Sequence, residues 1–587
     1  GIRVLARTDF SKIRRSVFEE HPEWAYRTEK GDIVDYNGDV HACLNGAFQS
    51  EYMFKIISEA IERTGVDGIF FNMSGFIVRD YSYNYHGLCH CESCKSMFNE
   101  RYGLELPKNQ DPLSPVYQKY RMFQRECIAA HNKRLYDHIK AISPDIAVNG
   151  FDIARLESNT EYGRAQWVYS ASSNTRQVRG AGDGATVPSN CSVDFIGFYL
   201  RHVAVSPAAQ ELRLWQDMAN LGGLDYYLIG RLDNHEDRSG FERVRNVFHF
   251  HKKHENDLLG LKARAEALLI RTDAADTAEE RGWIRALTEN HILFDETRAG
   301  KLMDAPLEKY KVILLPGTAY LTLEMAEKLD NYAKGGGIVV AVGESSLWGF
   351  DYSRNSRPLL DCLGVKQILH TRSDMLSAML KLDDTDKQVF SHFPDSELVA
   401  IGESFIYAEY DQKAKGWMKL IPPHPYGPPE RCYYNLVSDI PGVTRHSWGK
   451  GAGVFIPWNP GALLLKEGYD NTMRFLKGVL LGICGLRDIA PGLHPTVEIT
   501  VGEKEGKTVV QFVNASGHFA NSFYDSLPIH GAQAEIAIDA PVSSVRCLTE
   551  EGKVAYEHKA GFLRIALEKL DMYEAVVIEH ENDGGNL

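Results

Sequence analysis

The sequence lacks any apolar run approaching the roughly 20 residues that a membrane-spanning helix needs. Basic residues are the minority charge, 65 Lys and Arg against 79 Asp and Glu, for a net charge of −14. That balance argues against nucleic acid or an acidic membrane surface as the main partner. Cysteine is scarce, 10 in 587 residues, and outside one cluster it is scattered. Scattered thiols read as a reduced compartment rather than a disulfide framework, so a cytoplasmic location is expected. Internal repeats and low-complexity tracts are missing. "GGG" at 335–337 precedes a strand pattern and "GKGAG" at 449–453 lacks a phosphate loop's spacing and Ser/Thr, so neither is a nucleotide motif. An initiator Met is missing too: the chain opens at Gly1 directly on an apolar strand pattern, and a segment upstream is expected.

What is present is a chain too long for one core, with an ordinary globular composition of 44% hydrophobic and 25% charged residues. Up to about residue 260, short apolar runs alternate with amphipathic ones. The pattern predicts strands at 2–7, 67–71, 146–151, 153–157, 193–199 and 224–230, with helices such as "SEYMFKIISEAIERTG" between several of them. Alternation of this kind means parallel strands joined by crossovers. A (β/α)8 TIM-type barrel needs eight strands, so the first two are expected upstream of Gly1. Residues 1–263 are read as this barrel. Residues 264–490 are read as a flavodoxin-like α/β domain, with strands at "EALLIR", "NHILFDE", "YKVILLPG" and "GGIVVAVGE" and an insertion at about 370–450. From 494 to 587 the period changes to two, which predicts an antiparallel β-sandwich.

The densest chemical signal is "HGLCHCESCKSMFNERYG", where Cys89, Cys91 and Cys94 form C-x-C-x-x-C. Three thiolates on one turn can chelate one soft ion, which wants a fourth ligand. Cys43 in "HACLNG" is the best fourth; His41, His86 and His90 compete for the place. Free thiols or a single disulfide are the plainer alternatives. Four Cys ligands would close the shell, giving a structural zinc that does not activate water.

With these residues the run "CLNGAFQSEYMFKIISEAI…VDGIFFNMSG…CHCESCKSMFNERYG" resembles glycoside hydrolase family 42 β-galactosidases and the related barrel proteins described as hypothetical glycosyl hydrolases. The resemblance implies a structural zinc on Cys43, Cys89, Cys91 and Cys94. It also implies that 264–490 is a glutamine-amidotransferase-like trimerisation domain, and hence a homo-oligomer, trimer or dimer. The chain departs from the family at the catalytic positions. The family's Asn-Glu after the fourth strand is here Asn72-Met73, and "GFYLRHVAVSP" offers no carboxylate where its nucleophile is expected.

Glycosidic cleavage ordinarily uses two carboxylates across the sugar ring, and in a parallel barrel they project from the C-terminal strand ends. Glu157, beside Ser158 and Asn159, is the foremost candidate; its plain role is an ion pair with Arg155 or Arg164. Asp9 closes the first strand, or caps a helix. Asp233 follows the last barrel strand, with His235, Glu236 and Asp237, in a loop whose polarity also fits plain solvation. Asp80 is a further candidate. For the sugar ring, Trp24, Trp167, Tyr199, Tyr226 and Tyr227 offer aromatic faces and Asn72, Arg201 and His202 polar partners. The expected activity is hydrolysis of a terminal glycosidic bond, β-galactosidase-like, on a carbohydrate substrate. The competing reading is a non-catalytic carbohydrate-binding or assembly protein on a glycosidase scaffold.

Overall fold

The structure, a computed structural model, describes residues 2–73, 75–111, 114–160, 166–181, 187–273, 277–317, 320–349 and 353–581. The chain divides into two compact units, Gly1–Ala154 and Arg155–Leu587.

In the first unit three strands, β1 (Leu5–Asp9), β2 (Gly68–Asn72) and β3 (Ala147–Val148), form a sheet in the order β1-β2-β3. Both pairings are parallel, with Leu5 opposite Gly68, Asp9 opposite Asn72, and Gly68 also opposite Ala147. Gly68 is required by this close approach: a Cβ there would lie 2.8 Å from the Ala147 carbonyl oxygen. Helix α1 (Met53–Thr64) buries Met53, Ile57 and Ile61, one residue per turn. Helix α2 (Glu92–Tyr102) follows the cysteine cluster and is stopped by Gly103 at φ 64°. Helix α3 (Pro115–Ile142) starts where the Ser114 side chain accepts from Tyr117 N–H and Pro115 takes the first turn. Its stripe of Tyr120, Phe123, Cys127, His131, Leu135 and Ile139 is buried throughout. Leu135 and Ile139 join Met53, Ile57, Ile69 and Val148 in the core beneath the sheet, where each large apolar side chain contributes roughly 1.5–3 kcal/mol.

The second unit opens with β4 (Ile153–Ser158), β5 (Val187–Val193) and β6 (Gly223–Tyr227), in the order β4-β5-β6. Strands β5 and β6 pair in parallel, Ser189 opposite Gly223 through Val193 opposite Tyr227. Helices α4 (Ser170–Arg179) and α5 (Pro207–Ala219) lie between them in sequence. Each of the six strands expected up to residue 263 has a counterpart, beside short strands at Lys12–Arg14, Asp35–Tyr36, Asp39–His41 and Lys262–Ala263, but the fifth is displaced: expected at 193–199, it occupies Val187–Val193. "VPSNCSV" reads as a loop because it is polar. In the fold Asn190 is fully buried, donating to Asp217 Oδ1 at 2.9 Å and accepting from Asn174 and Ser158, so helix side chains replace the water a polar strand would lose.

Next come β7 (Ala267–Arg271), β8 (Phe294–Arg298), β9 (Val312–Pro316), β10 (Ile338–Val342) and β11 (Gly451–Ile456), arranged β8-β7-β9-β10-β11, all parallel. This is the flavodoxin strand order 2-1-3-4-5. The segment expected as an insertion extends the same sheet with antiparallel strands: Pro441–Trp448, Lys415–Ile421, Met379–Lys381 and Leu398–Ala400. The chain ends in two facing antiparallel layers. One contains Val497–Lys504, Lys507–Asn514 and Tyr573–His580, and the other Ile529–Ala537, Phe562–Leu570 and Val554–Lys559. Val497, Phe512, Ile565 and Val576 meet between them. Among the described residues no helix is long and apolar enough to cross a membrane.

Candidate functional site

Cys43, Cys89, Cys91 and Cys94 come together in the first unit, all buried, with their sulfurs within 4.8 Å of one another. None is in a disulfide, and the Cys43 and Cys94 sulfurs are 3.4 Å apart, too far for an S–S bond. Asn45 donates its backbone N–H to Cys43 Sγ at 3.3 Å and its side-chain amide to Cys94 Sγ at 3.5 Å. The surroundings are apolar: Leu44, Leu88, Phe98 and Phe123 pack around the sulfurs. Hydrogen bonds among the thiols push Cys43 and Cys94 up and Cys91 down, since four buried sulfurs cannot all ionise side by side without a cation. The soft donor set and the sulfur spacing fit one tetrahedral metal ion. The competing histidines lie elsewhere: His86 Nε2 faces Asp80 at 2.9 Å and His41 Nδ1 faces the Ile77 carbonyl at 3.3 Å.

In the second unit Glu157 lies near the C-terminal end of β4. Arg155 Nη1 donates to Glu157 Oε1 at 2.7 Å, and Arg155 Nε donates to Asp225 Oδ2 at 2.5 Å. One guanidinium therefore joins carboxylates from β4 and β6. Both remain reachable, the side chains being 35% and 27% exposed. Between them on β5 lies Cys191, whose thiol is pushed up by burial and is thus neutral. The sequence reading paired Glu157 with Arg155 but missed Asp225. The signal was the two-residue alternation of "GLDYY": Leu224 and Tyr226 pack toward the helices, which turns Asp225 to the other face. Arg164, the alternative partner for Glu157, lies outside the described residues.

The remaining candidates are dispersed. Asp9 Oδ1 accepts from the Ser11 N–H at 2.9 Å and hydroxyl at 2.6 Å, and Oδ2 pairs with Lys12 at 3.3 Å. Asp233 is 69% exposed and held in bidentate fashion by Arg231 at 3.0 and 3.1 Å. Asp80 is used within its own loop: burial would push it up, but hydrogen bonds from His86, Asn84 and Ser82 hold it at about 2. Tyr199, Arg201 and His202 share one surface turn after β5. Tyr199 is 61% exposed there, and Arg201 stacks on Phe198 at 5.1 Å. Trp167 packs against the flavodoxin-like core under Arg281, and Trp24 is buried against His21.

One further residue escaped the sequence reading. Asp194, immediately after β5, is 1% exposed, as is the His235 side chain paired with it at 3.1 Å. Tyr226 and Gln210 complete its hydrogen bonds at 2.5 and 3.1 Å. The misplaced fifth strand hid Asp194, because a strand at 193–199 makes it a mid-strand residue. In the first unit Asn72, with Met73, Ser11, Asn149 and His131, lines an open cavity of about 160 Å³ at the C-terminal ends of β1, β2 and β3.

The comparisons agree with this architecture. Residues 1–73 match the family described as "Hypothetical glycosyl hydrolase 6". No curated protein matches the sequence. Among solved structures, α-L-fucosidase isoenzyme 2 from Paenibacillus thiaminolyticus is similar with a TM-score of 0.76 at 17% identity, covering 99% of this chain and 88% of that one. A β-galactosidase from Bacillus circulans sp. alkalophilus gives 0.69 at 14%, covering 99% and 89%. A β-galactosidase from the Antarctic haloarchaeon Halorubrum lacusprofundi gives 0.65 at 15%, covering 98% and 89%. The chain thus shares its fold with these glycosidases, and its first 73 residues are similar to the hypothetical glycosyl hydrolase family.

Proposed function

We propose that the protein is a glycoside hydrolase that cleaves a terminal glycosidic bond, with Glu157 as the carboxylate acting at the anomeric carbon. The observation that carries this reading is the Glu157–Arg155–Asp225 arrangement on β4 and β6 of one sheet, with Glu157 near the C-terminal end of β4, the end where such sheets bind ligands. Arg155 opposes the charge of Glu157, and Asp225 fixes the guanidinium by its second edge. A carboxylate so placed attacks the sugar or draws a proton from water, while a second carboxyl protonates the departing oxygen. Asp9 and Asp233 are the residues we assign as candidates for that donor. Asn72, Tyr199, Arg201, His202 and Trp167 remain our candidates for sugar contact. We assign a structural zinc to Cys43, Cys89, Cys91 and Cys94, where it ties the loop carrying C-x-C-x-x-C to the segment before α1. We read 1–263, 264–490 and 494–587 as the domains of a cytoplasmic homo-oligomer.

A panel of aryl β-galactosides, α-fucosides and related glycosides tests the reading. Turnover of at least one is expected, with Asp225→Asn and Arg155→Met each lowering kcat by about 10²-fold or more. Sugar binding without turnover of any glycoside by the full chain would instead establish the non-catalytic reading.

A further inference from the structure

The loop after β2 carries "DYSYNY", Asp80 to Tyr85, in which Tyr81, Tyr83 and Tyr85 alternate with short polar residues. All three tyrosines are exposed, by 40%, 50% and 43%. They are not held there by chance. Asp80 Oδ1 accepts from the N–H groups of Ser82 and Asn84 at 2.8 and 3.0 Å, and Oδ2 accepts from Asn84 Nδ2 at 3.0 Å. Arg79 and Tyr85 pair across the base of the loop, and Arg79 Nη1 donates to the Tyr83 carbonyl at 2.8 Å. The loop is rigid enough to hold Tyr83 at φ 64°, a backbone region that bulky residues otherwise avoid.

The rings are also backed. Lys12 Nζ lies 4.6 Å from the Tyr81 ring centre and the Arg79 guanidinium 5.3 Å from that of Tyr85, so each of these two exposed rings has a cation against it. Tyr36 packs beside Tyr81 at 5.8 Å and its hydroxyl meets Ser82 Oγ at 3.1 Å. Lys12 Nζ also reaches Ser11 Oγ at 3.3 Å, and Ser11 lines the cavity at the ends of β1, β2 and β3. Lys12 thus bridges the Tyr81 ring and the rim of that cavity. The cavity's volume, about 160 Å³, is that of a cavity that takes a six-membered ring, since one of ~150 Å³ binds benzene.

We propose that Tyr81, Tyr83 and Tyr85 form a binding strip for a neutral oligosaccharide whose end ring enters this cavity. A tyrosine offers an apolar face to the C–H side of a pyranose and a hydroxyl to its oxygens. The stretch from 81 to 85 contains no aliphatic residue, only tyrosines and short polar side chains. The nearby cations are already engaged, Lys12 by Asp9 and Arg79 by the Tyr83 carbonyl, which favours a neutral glycan over a sulfated one. The proposal rests on the carbohydrate reading above but not on the chemistry assigned to Glu157.

Full-length protein is applied to an array of neutral oligosaccharides of increasing length. Retention of chains longer than a monosaccharide is expected, falling about tenfold or more in Y81A/Y83A/Y85A and less in Y81F/Y83F/Y85F, which keeps the rings. Thermal unfolding checks that the variants fold, and Y81A and Y85A singly carry the test should the triple variant not. Unaltered retention in the alanine variants, or no glycan retained by the intact protein, overturns the proposal. So does a change of oligomeric state in sedimentation with glycan binding unaltered, which assigns the strip to a second copy of the chain. Tyrosine-dependent binding in a protein that hydrolyses no aryl glycoside refutes the glycosidase reading alone. Hydrolysis with tyrosine-independent retention refutes the strip alone.

Discussion

Each of the two units is organised around a different chemistry. The first gathers four sulfurs in an apolar nest, with Leu88, Phe98 and Phe123 around them and amide donors from Asn45 reaching in. The second gathers charge. Arg176, 2% exposed, donates to Glu296 at 2.8 Å, to Glu498 at 2.7 Å and to Asn220 at 2.9 Å. Arg271 donates to Ser173 at 2.7 Å and pairs with Glu296 at 3.2 Å, and Ser172 donates to Glu498 at 2.5 Å. These residues come from α4, β7, β8 and the first long strand of the sandwich, so one buried network joins three architectural parts. The sulfur node offers four ligands to an ion that the chain does not itself supply. The charged node draws its partners from the chain's own residues, and it is costly to disturb because removing one member leaves buried charge less fully compensated.

The largest effect should follow from breaking the sulfur node. C91S/C94S is expected to abolish stoichiometric metal and to open residues 1–154 to proteolysis while 155–587 stays protected; apparent free energies of structural zinc sites run to ~10 kcal/mol or more. Cleavage spread evenly over both units would erase the contrast. Next comes Arg176→Met, which leaves Glu498 without its buried cation and Glu296 with Arg271 alone, and should cost about 3–5 kcal/mol in denaturant unfolding, with metal content unaffected. The smallest effect concerns a buried carboxyl with no cation. Glu279 accepts from Trp283 Nε1 and from the N–H groups of Gly461 and Ala462, and burial pushes it up to about 7 despite them. A carboxyl raised in the folded state contributes stability that is fully present below its unfolded value near 4.5 and is lost as pH rises through 7. Thermal unfolding between pH 4.5 and 7.5 should therefore weaken with pH by up to ~3 kcal/mol, and Glu279→Gln should flatten that slope.

The same contrast explains what could be read from the sequence. Cys89, Cys91 and Cys94 sit within six positions, and ligand chemistry needs that spacing, so the node was visible before any fold. Strand–helix alternation gave six parallel strands, and apolar runs gave the flavodoxin-like order. The charged node was invisible because Arg176, Arg271, Glu296 and Glu498 are scattered across 323 sequence positions (498 − 176 + 1), and each alone resembles a solvated side chain. Polar strand β5 was misplaced for a related reason: its Asn190 is satisfied by Asn174, Ser158 and Asp217, partners that only the fold brings near. Glu157 was legible as a strand-end carboxylate, whereas its link to Asp225 needed the register of β4, β5 and β6.

The most direct test of the account is kcat/KM for the intact protein and for Glu157→Gln on the aryl glycoside the protein turns over best, with both shown equally folded by thermal unfolding. The account predicts a loss of about 10²–10⁴-fold in the variant. A Glu157→Gln protein as active as the intact one would contradict it.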